Sequence, residues 1–157
     1  MEITIRQATV DDLQAISEMT YKIDRFYQTD LHLFEDVVLP PIEKYKQEHI
    51  QDLAKQNYIY YVACVDTKIV GYVIGHIEFD IYKGEHGVAE EIFIEEEFRN
   101  LGISKLLLEK RDEYFKTKTV KTIVTQIFNT NTRSLDIHYK NGYKFESDII
   151  TLVKSLN

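Results

Sequence analysis

The chain has 157 residues, 44% hydrophobic and 29% charged, with one cysteine and a formal net charge of -7. That length makes one domain, residues 1–157, with its own core, and the lone Cys64 excludes an internal disulfide or a cysteine-based zinc site. The negative balance argues against nucleic-acid backbones and anionic membranes as partners and suits a cation such as an amine, although solubility alone also accounts for it.

No run approaches the roughly 20 apolar residues of a membrane span, and residues 1–12 hold no apolar signal core, so the expected location is cytoplasmic. The P-loop spacing Gly-x-x-x-x-Gly-Lys-Ser/Thr is missing, and residues 99–104 hold too few glycines for a dinucleotide fingerprint. The five histidines show no metal-ligand spacing, so no metal is expected.

Along the chain, residues 3–5 alternate as in a half-buried strand. Thr9-Val10-Asp11-Asp12 reads as a helix start with Thr9 as N-cap, and Leu13, Ile16 and Met19 give the helix an apolar face. Residues 21–38 mix aromatics with charge and show no clear period. Pro40-Pro41 breaks the chain, with Pro41 as the first residue of a second helix reaching about Lys55. Residues 58–65 and 69–79 read as strands joined by a hairpin at 66–68. Gly71 and Gly75 imply a bend or close packing within the second of these. Cys64 reads as core filling and His76 as a strand side chain of no special role. Residues 82–87 form a turn into a central strand containing Val88, Ile92 and Ile94.

Leu106, Leu107, Leu108 and Tyr114 then fall at helical spacings, giving a helix from Ile103 to about Lys116. Residues 120–128 read as a fifth strand. Residues 134–140 make a short helix closed by Asn141-Gly142. Tyr143, Phe145 and residues 149–153 suggest two final strands. The strand–helix–strand crossover implies parallel pairing at the centre, with antiparallel hairpins beside it: a mixed α/β sheet.

Between the central strand and its helix lies Arg99-Asn100-Leu101-Gly102-Ile103-Ser104. A strand running through a tight turn into a helix aims unpaired N–H groups at one point, and the positive end of the helix dipole adds to their pull on an anion. Gly102 admits a close approach, Ser104 is small and adds a hydroxyl, and Lys105 adds charge in the first turn.

This hexapeptide, following Ile92-Phe93-Ile94, resembles the pyrophosphate-binding motif Arg/Gln-x-x-Gly-x-Gly/Ala of the GNAT superfamily of acyl-CoA N-acyltransferases, with Ser104 a mild departure. The opening Ile-Arg-Gln-Ala-Thr-x-x-Asp and the hairpin Val-Ala-Cys-Val-x-x-x-x-Ile-Val-Gly-Tyr-Val-x-Gly resemble the family's first three strands. Asn131-x-x-Ser134-x-x-x-His138-Tyr139-Lys140-x-Gly142-Tyr143 resembles its Asn-x-x-Ala-x-x-x-Tyr-x-x-x-Gly-Phe, with His138 in the place of the usual tyrosine. The resemblance implies a GNAT fold of about six to seven strands flanked by about four helices. It implies transfer of an acetyl group from acetyl-CoA, a cosubstrate, to a primary amine.

What it implies for the site follows. Arg99, Asn100, Leu101, Gly102, Ile103, Ser104 and Lys105 would hold the pyrophosphate. Ile92, Phe93 and Ile94 would pair main-chain groups with the pantetheine arm, and Asn131 would bond that arm or cap the following helix. Glu90 and Glu91 are adjacent and face opposite sides of a regular strand, so only one looks into the cleft unless a bulge intervenes. Glu90 is taken as the general base by resemblance to the Glu-Asp stretch of polyamine-type members. The acid that meets the leaving thiolate is His138, Tyr139 or no side chain at all. Residues 21–41 would wall the acceptor pocket. Family members often dimerise, which leaves a homodimer open. The competing reading is a catalytically silent acyl-CoA-binding or sensor module, kept open by His138.

Overall fold

In the computed structural model, which describes residues 2–146, β1 (Ile3–Gln7) leads through a short turn into α1 (Leu13–Thr29). Asp12 holds that turn. Its carboxylate accepts the Thr9 N–H at 2.7 Å and two guanidinium nitrogens of Arg6 at 2.7 and 2.8 Å. The Arg6 bonds hold the Asp12 carboxyl down to about 2.

α1 runs through residues 21–29, half of the stretch expected to be irregular. The helical spacing persists, but Thr20, Ile23 and Tyr27 carry it, and they border cavities beside the sheet in place of solid core. Polar and aromatic residues therefore dilute the apolar period. Pro41 caps α2 (Ile42–Leu53) from just outside the helix, with an extended ψ of 153°.

β2 (Tyr58–Val65), β3 (Lys68–Asp80) and β4 (Gly84–Ile94) form an antiparallel meander on β1. The expected turn at 82–87 is shorter, because β4 already begins at Gly84. α3 (Ile103–Thr117) crosses one face and returns the chain as β5 (Ile123–Val124), parallel to β4. α4 (Thr132–Lys140) follows, two residues earlier than expected, because the Asn131 Oδ1 caps it by accepting the Ser134 N–H at 3.2 Å.

The sheet order is β1-β2-β3-β4-β5, mixed as expected. Among the described residues it has five strands against the six to seven expected. Residues 120–128 contribute only two paired residues, and Tyr143 and Phe145 lie in no strand. The strand expected at 149–153 lies outside the described residues. No helix among them is long and apolar enough to cross a membrane.

Both sheet faces are covered. Leu13, Ile16 and Met19 of α1 pack with Tyr60, Val62, Cys64, Tyr72 and Ile74. On the other face Ile103, Leu107 and Leu108 of α3 pack with Ala63, Val65, Val70 and Val73. Each buried aliphatic side chain contributes about 1.5–3 kcal/mol by leaving water, so the strands are clamped from both sides. A Cβ at Gly75 or Gly87 would fall 2.9 Å from the Phe115 ring, so the bare backbone there is what admits α3 so close.

Candidate active site

β3 and β4 lose register at one point. Ile74 pairs with Glu91 and Gly75 with Ala89, which leaves Glu90 as the extra residue of a bulge. A bulge breaks strict alternation, and both Glu90 and Glu91 border the cavities on this side of the sheet.

The two carboxylates have different surroundings. Glu91 accepts a hydrogen bond from the Tyr72 hydroxyl at 2.5 Å and one from Thr20 Oγ1 at 3.3 Å. Burial pushes its carboxyl up to about 7, against the pull of the Tyr72 donor. Thr20 continues the chain to His49 Nε2 at 3.0 Å, and His49 Nδ1 meets the Tyr60 hydroxyl at 3.0 Å. Burial pulls His49 below its ordinary value, so the ring is a neutral link in that chain. Glu90 is more open, and its Oε1 stands 2.5 Å from His76 Nδ1.

Beyond Val88, β5 turns away from β4. Thr125 Oγ1 donates to Ala89 O at 3.0 Å, and past that point, among the described residues, β4 is paired with β3 alone. The parted strands open a cleft of about 1330 Å³. Of the residues expected to hold the cosubstrate, Ile92, Phe93, Ile94, Arg99, Asn100, Gly102, Ile103, Ser104, Lys105 and Asn131 border it, and Leu101 does not.

At the far end of the cleft Gly102 has φ 78° and Asn100 φ 65°, so the chain turns left-handed twice before α3 begins. A Cβ at Gly102 would meet nothing within 4 Å, which leaves the approach to the helix end open. The N–H groups of Ile103, Ser104 and Lys105 precede the first helical bond, from Leu106 N to Gly102 O. Arg99 Nε donates to Ile94 O at 3.0 Å and its guanidinium lies over the Phe93 ring, which ties the junction to β4. Arg133, missed in the sequence, also borders the cleft; burial and the nearby charge of Arg99 pull its pKa down. Its only signal was its place three residues into the second motif.

His138 is buried on the cleft wall, and its Nδ1–H donates to Ser134 O at 2.8 Å. Burial pulls its pKa below the ordinary histidine value. The Tyr143 ring packs edge-on against it at 4.9 Å and its hydroxyl accepts from buried Arg111 at 2.7 Å, so the tyrosine of that motif is a structural brace. Tyr139, the alternative acid, is 51% exposed and borders no part of the cleft.

A smaller cavity of about 230 Å³ adjoins the cleft at Glu90 and Glu91. Among the described residues, Asp24, Glu48, Asp52, Glu90 and Glu91 line it, with Tyr45, His49, Tyr60 and no lysine or arginine. Among the described residues no group of three or more histidine, cysteine or acidic side chains is placed to hold a metal ion.

A sequence profile of the Acetyltransferase (GNAT) family matches residues 19–143. The chain belongs to that family. An uncharacterized N-acetyltransferase of Methanocaldococcus jannaschii is 25% identical to this GNAT chain over 150 residues, covering 94% of it; the chain spans 62% of that relative's length. An aminoglycoside N-acetyltransferase solved in complex with CoA superposes with a TM-score of 0.81 at 17% identity, over 99% of this chain and 96% of the other. A Bacillus halodurans protein gives 0.81 at 17% identity over 96% and 99%. An Acinetobacter haemolyticus aminoglycoside N-acetyltransferase gives 0.79 at 16% identity over 98% and 99%. At such identities the likeness is one of fold, and it bears out the GNAT architecture.

Proposed function

We propose that this protein is an N-acetyltransferase that moves an acetyl group from acetyl-CoA directly to the primary amine of a small molecule or peptide, with both substrates bound at once. The observation that carries this reading is the continuous cleft in which the free edge of β4, the α3 N-terminus and two carboxylates meet. The family match and a fold neighbour solved with CoA support it.

The residues present fit the cosubstrate. The backbone of residues 99–105 holds the pyrophosphate through unpaired N–H groups, with Arg99, Lys105 and Arg133 adding charge. The free edge of Ile92, Phe93 and Ile94 takes the pantetheine arm as an added strand, and Asn131 lies beside it. Bound acetyl-CoA supplies the thioester carbonyl that the amine attacks. An N–H of β4 steadies the charge that develops on that oxygen. Aligning two reactants in one cleft contributes much of the rate.

An amine attacks only when neutral, so Glu90, at the meeting of the two cavities, removes its proton. The acidic lining of the smaller cavity supports a cationic acceptor. His138 would act as acid only with its ring doubly protonated, which burial opposes, so we assign the departing thiolate no dedicated side-chain acid. The reading is completed by a cytoplasmic location and a homodimer as the assembly to test.

The test is thiol release by purified protein supplied with acetyl-CoA and a panel of amines. Steady release with at least one amine is expected. CoA binding with no release on any amine would favour the silent acyl-CoA sensor, the reading that a neutral His138 keeps in play.

A further inference from the structure

We infer that His76 is a positioning residue for Glu90, aiming its carboxylate into the acceptor cavity through the imidazole Nδ1. The inference rests on Glu90 as the base.

His76 sits on β3 beside the bulge and is held by two neighbours. Its ring stacks on Tyr58 of β2, with centroids 4.7 Å apart and planes 17° from parallel. Its Nε2 lies 3.3 Å from Glu78 Oε2, two residues along the same strand. The other Glu78 oxygen stands 3.2 Å from His86 Nε2 of β4, and His86 Nδ1 is anchored on Gly84 O at 3.0 Å. Lys55 Nζ lies over the Tyr58 ring, 4.9 Å from its centroid. The imidazole plane is fixed before Glu90 is considered.

With the plane fixed, Nδ1 has one carboxylate to meet. Glu90 Oε1 stands 2.5 Å from it, yet the atom is buried with no well-aligned hydrogen-bond partner. A buried polar atom without a partner costs about 1–3 kcal/mol, and Glu90 Oε1 is the carboxylate oxygen that the structure places beside it. Because Glu90 is the bulge residue, its backbone is not paired with β3. The bulge brings Glu90 to the cavity, and His76 sets its angle. Glu78, His76, Tyr58 and His86 lie outside the lining of both cavities, so this support is built behind the site and does not compete with substrate for space.

Each ring nitrogen has a carboxylate beside it, so replacements at His76 discriminate between them. Asparagine puts an amide N–H near the place of Nδ1; glutamine puts it near that of Nε2. His76→Phe and His76→Gln are expected to lower kcat about tenfold or more. They should leave the KM for acetyl-CoA within about twofold, as uniform binding is untouched, and should move the acid limb of the kcat–pH profile. His76→Asn is expected to restore most of the loss. Melting curves and CoA titration confirm that each variant is folded. A folded His76→Phe with wild-type kcat and pH profile, or His76→Asn no better than His76→Gln, overturns the inference. Should the wild type acetylate no amine, the reading of Glu90 as base has failed separately. The contact is then judged by the ¹⁵N resonance of His76 Nδ1, expected to move on Glu90→Gln; an unmoved resonance overturns the inference.

Discussion

The Tyr72 hydroxyl donates to Glu91 Oε2 across 2.5 Å, from the neighbouring strand and inside the protein. A hydrogen bond to the charged form favours that form, while burial opposes it. Burial prevails, leaving the carboxyl at about 7.

Tyr72→Phe removes the donor and keeps the ring, so Glu91 is expected to titrate above 7. Carboxyl-labelled glutamate followed by ¹³C NMR measures it; a midpoint that stays or falls would show that Tyr72 does not hold the charge. The sign for stability follows. Between the ordinary value of 4.5 and about 7 the folded protein keeps a proton that the unfolded chain has released. This group therefore makes stability fall as pH rises through that window.

Glu90→Gln keeps size and polarity but cannot take a proton. Turnover is expected to drop by about a hundredfold or more, within the range of a lost general base, with CoA affinity by calorimetry unchanged. Equal losses in turnover and CoA affinity would place Glu90 in binding, not in proton removal.

Gly102 adopts φ 78° with open space where a Cβ would stand. Gly102→Val puts a branched side chain in a left-handed conformation, at roughly 1–2 kcal/mol of stability, and sets it across the approach to the α3 N–H groups. CoA affinity is expected to weaken at least tenfold in protein that still folds, measured by titration calorimetry beside a urea unfolding curve.

Asp12 is held at about 2 by Arg6 and the Thr9 N–H. A depressed carboxyl stabilises fully above its unfolded value of 3.8, and this contribution is lost as pH falls toward 2. Asp12→Ala is expected to cost about 1–2 kcal/mol at pH 7, reduced because Arg6 is largely in solvent. The gap between wild type and variant in urea unfolding should narrow at pH 3.

The fold was legible where local rules and packing agree. The β2–β3 hairpin, the crossover through α3 and the glycine at its start follow from alternation, helical spacing and the demands of a tight turn. Legibility failed where residues serve the cavity. The second half of α1 carries Thr20, Ile23 and Tyr27 on its inner side, and no apolar period survives that mixture. Residues 125–128 have the composition of a strand and, among the described residues, no strand partner, because β5 has already left β4. For the candidate site, the turn at residues 99–105 could be read, because a glycine at a left-handed helix start fixes the backbone there. The joint placement of Glu90 and Glu91 could not, since one bulge decides it. The placement of His76 beside Glu90 and of Arg133 near Arg99 joins distant segments and leaves no local signal.

Among the described residues, the parting of β4 and β5 leaves one ladder of amides and carbonyls unfinished. Whatever occupies that gap as an extra strand closes the sheet, so its binding energy also becomes folding energy. The empty protein should then exchange its β4 amide hydrogens with deuterated water faster than the liganded form, and CoA should raise the melting temperature with its concentration. On the proposed reading, the substrate itself would complete the sheet.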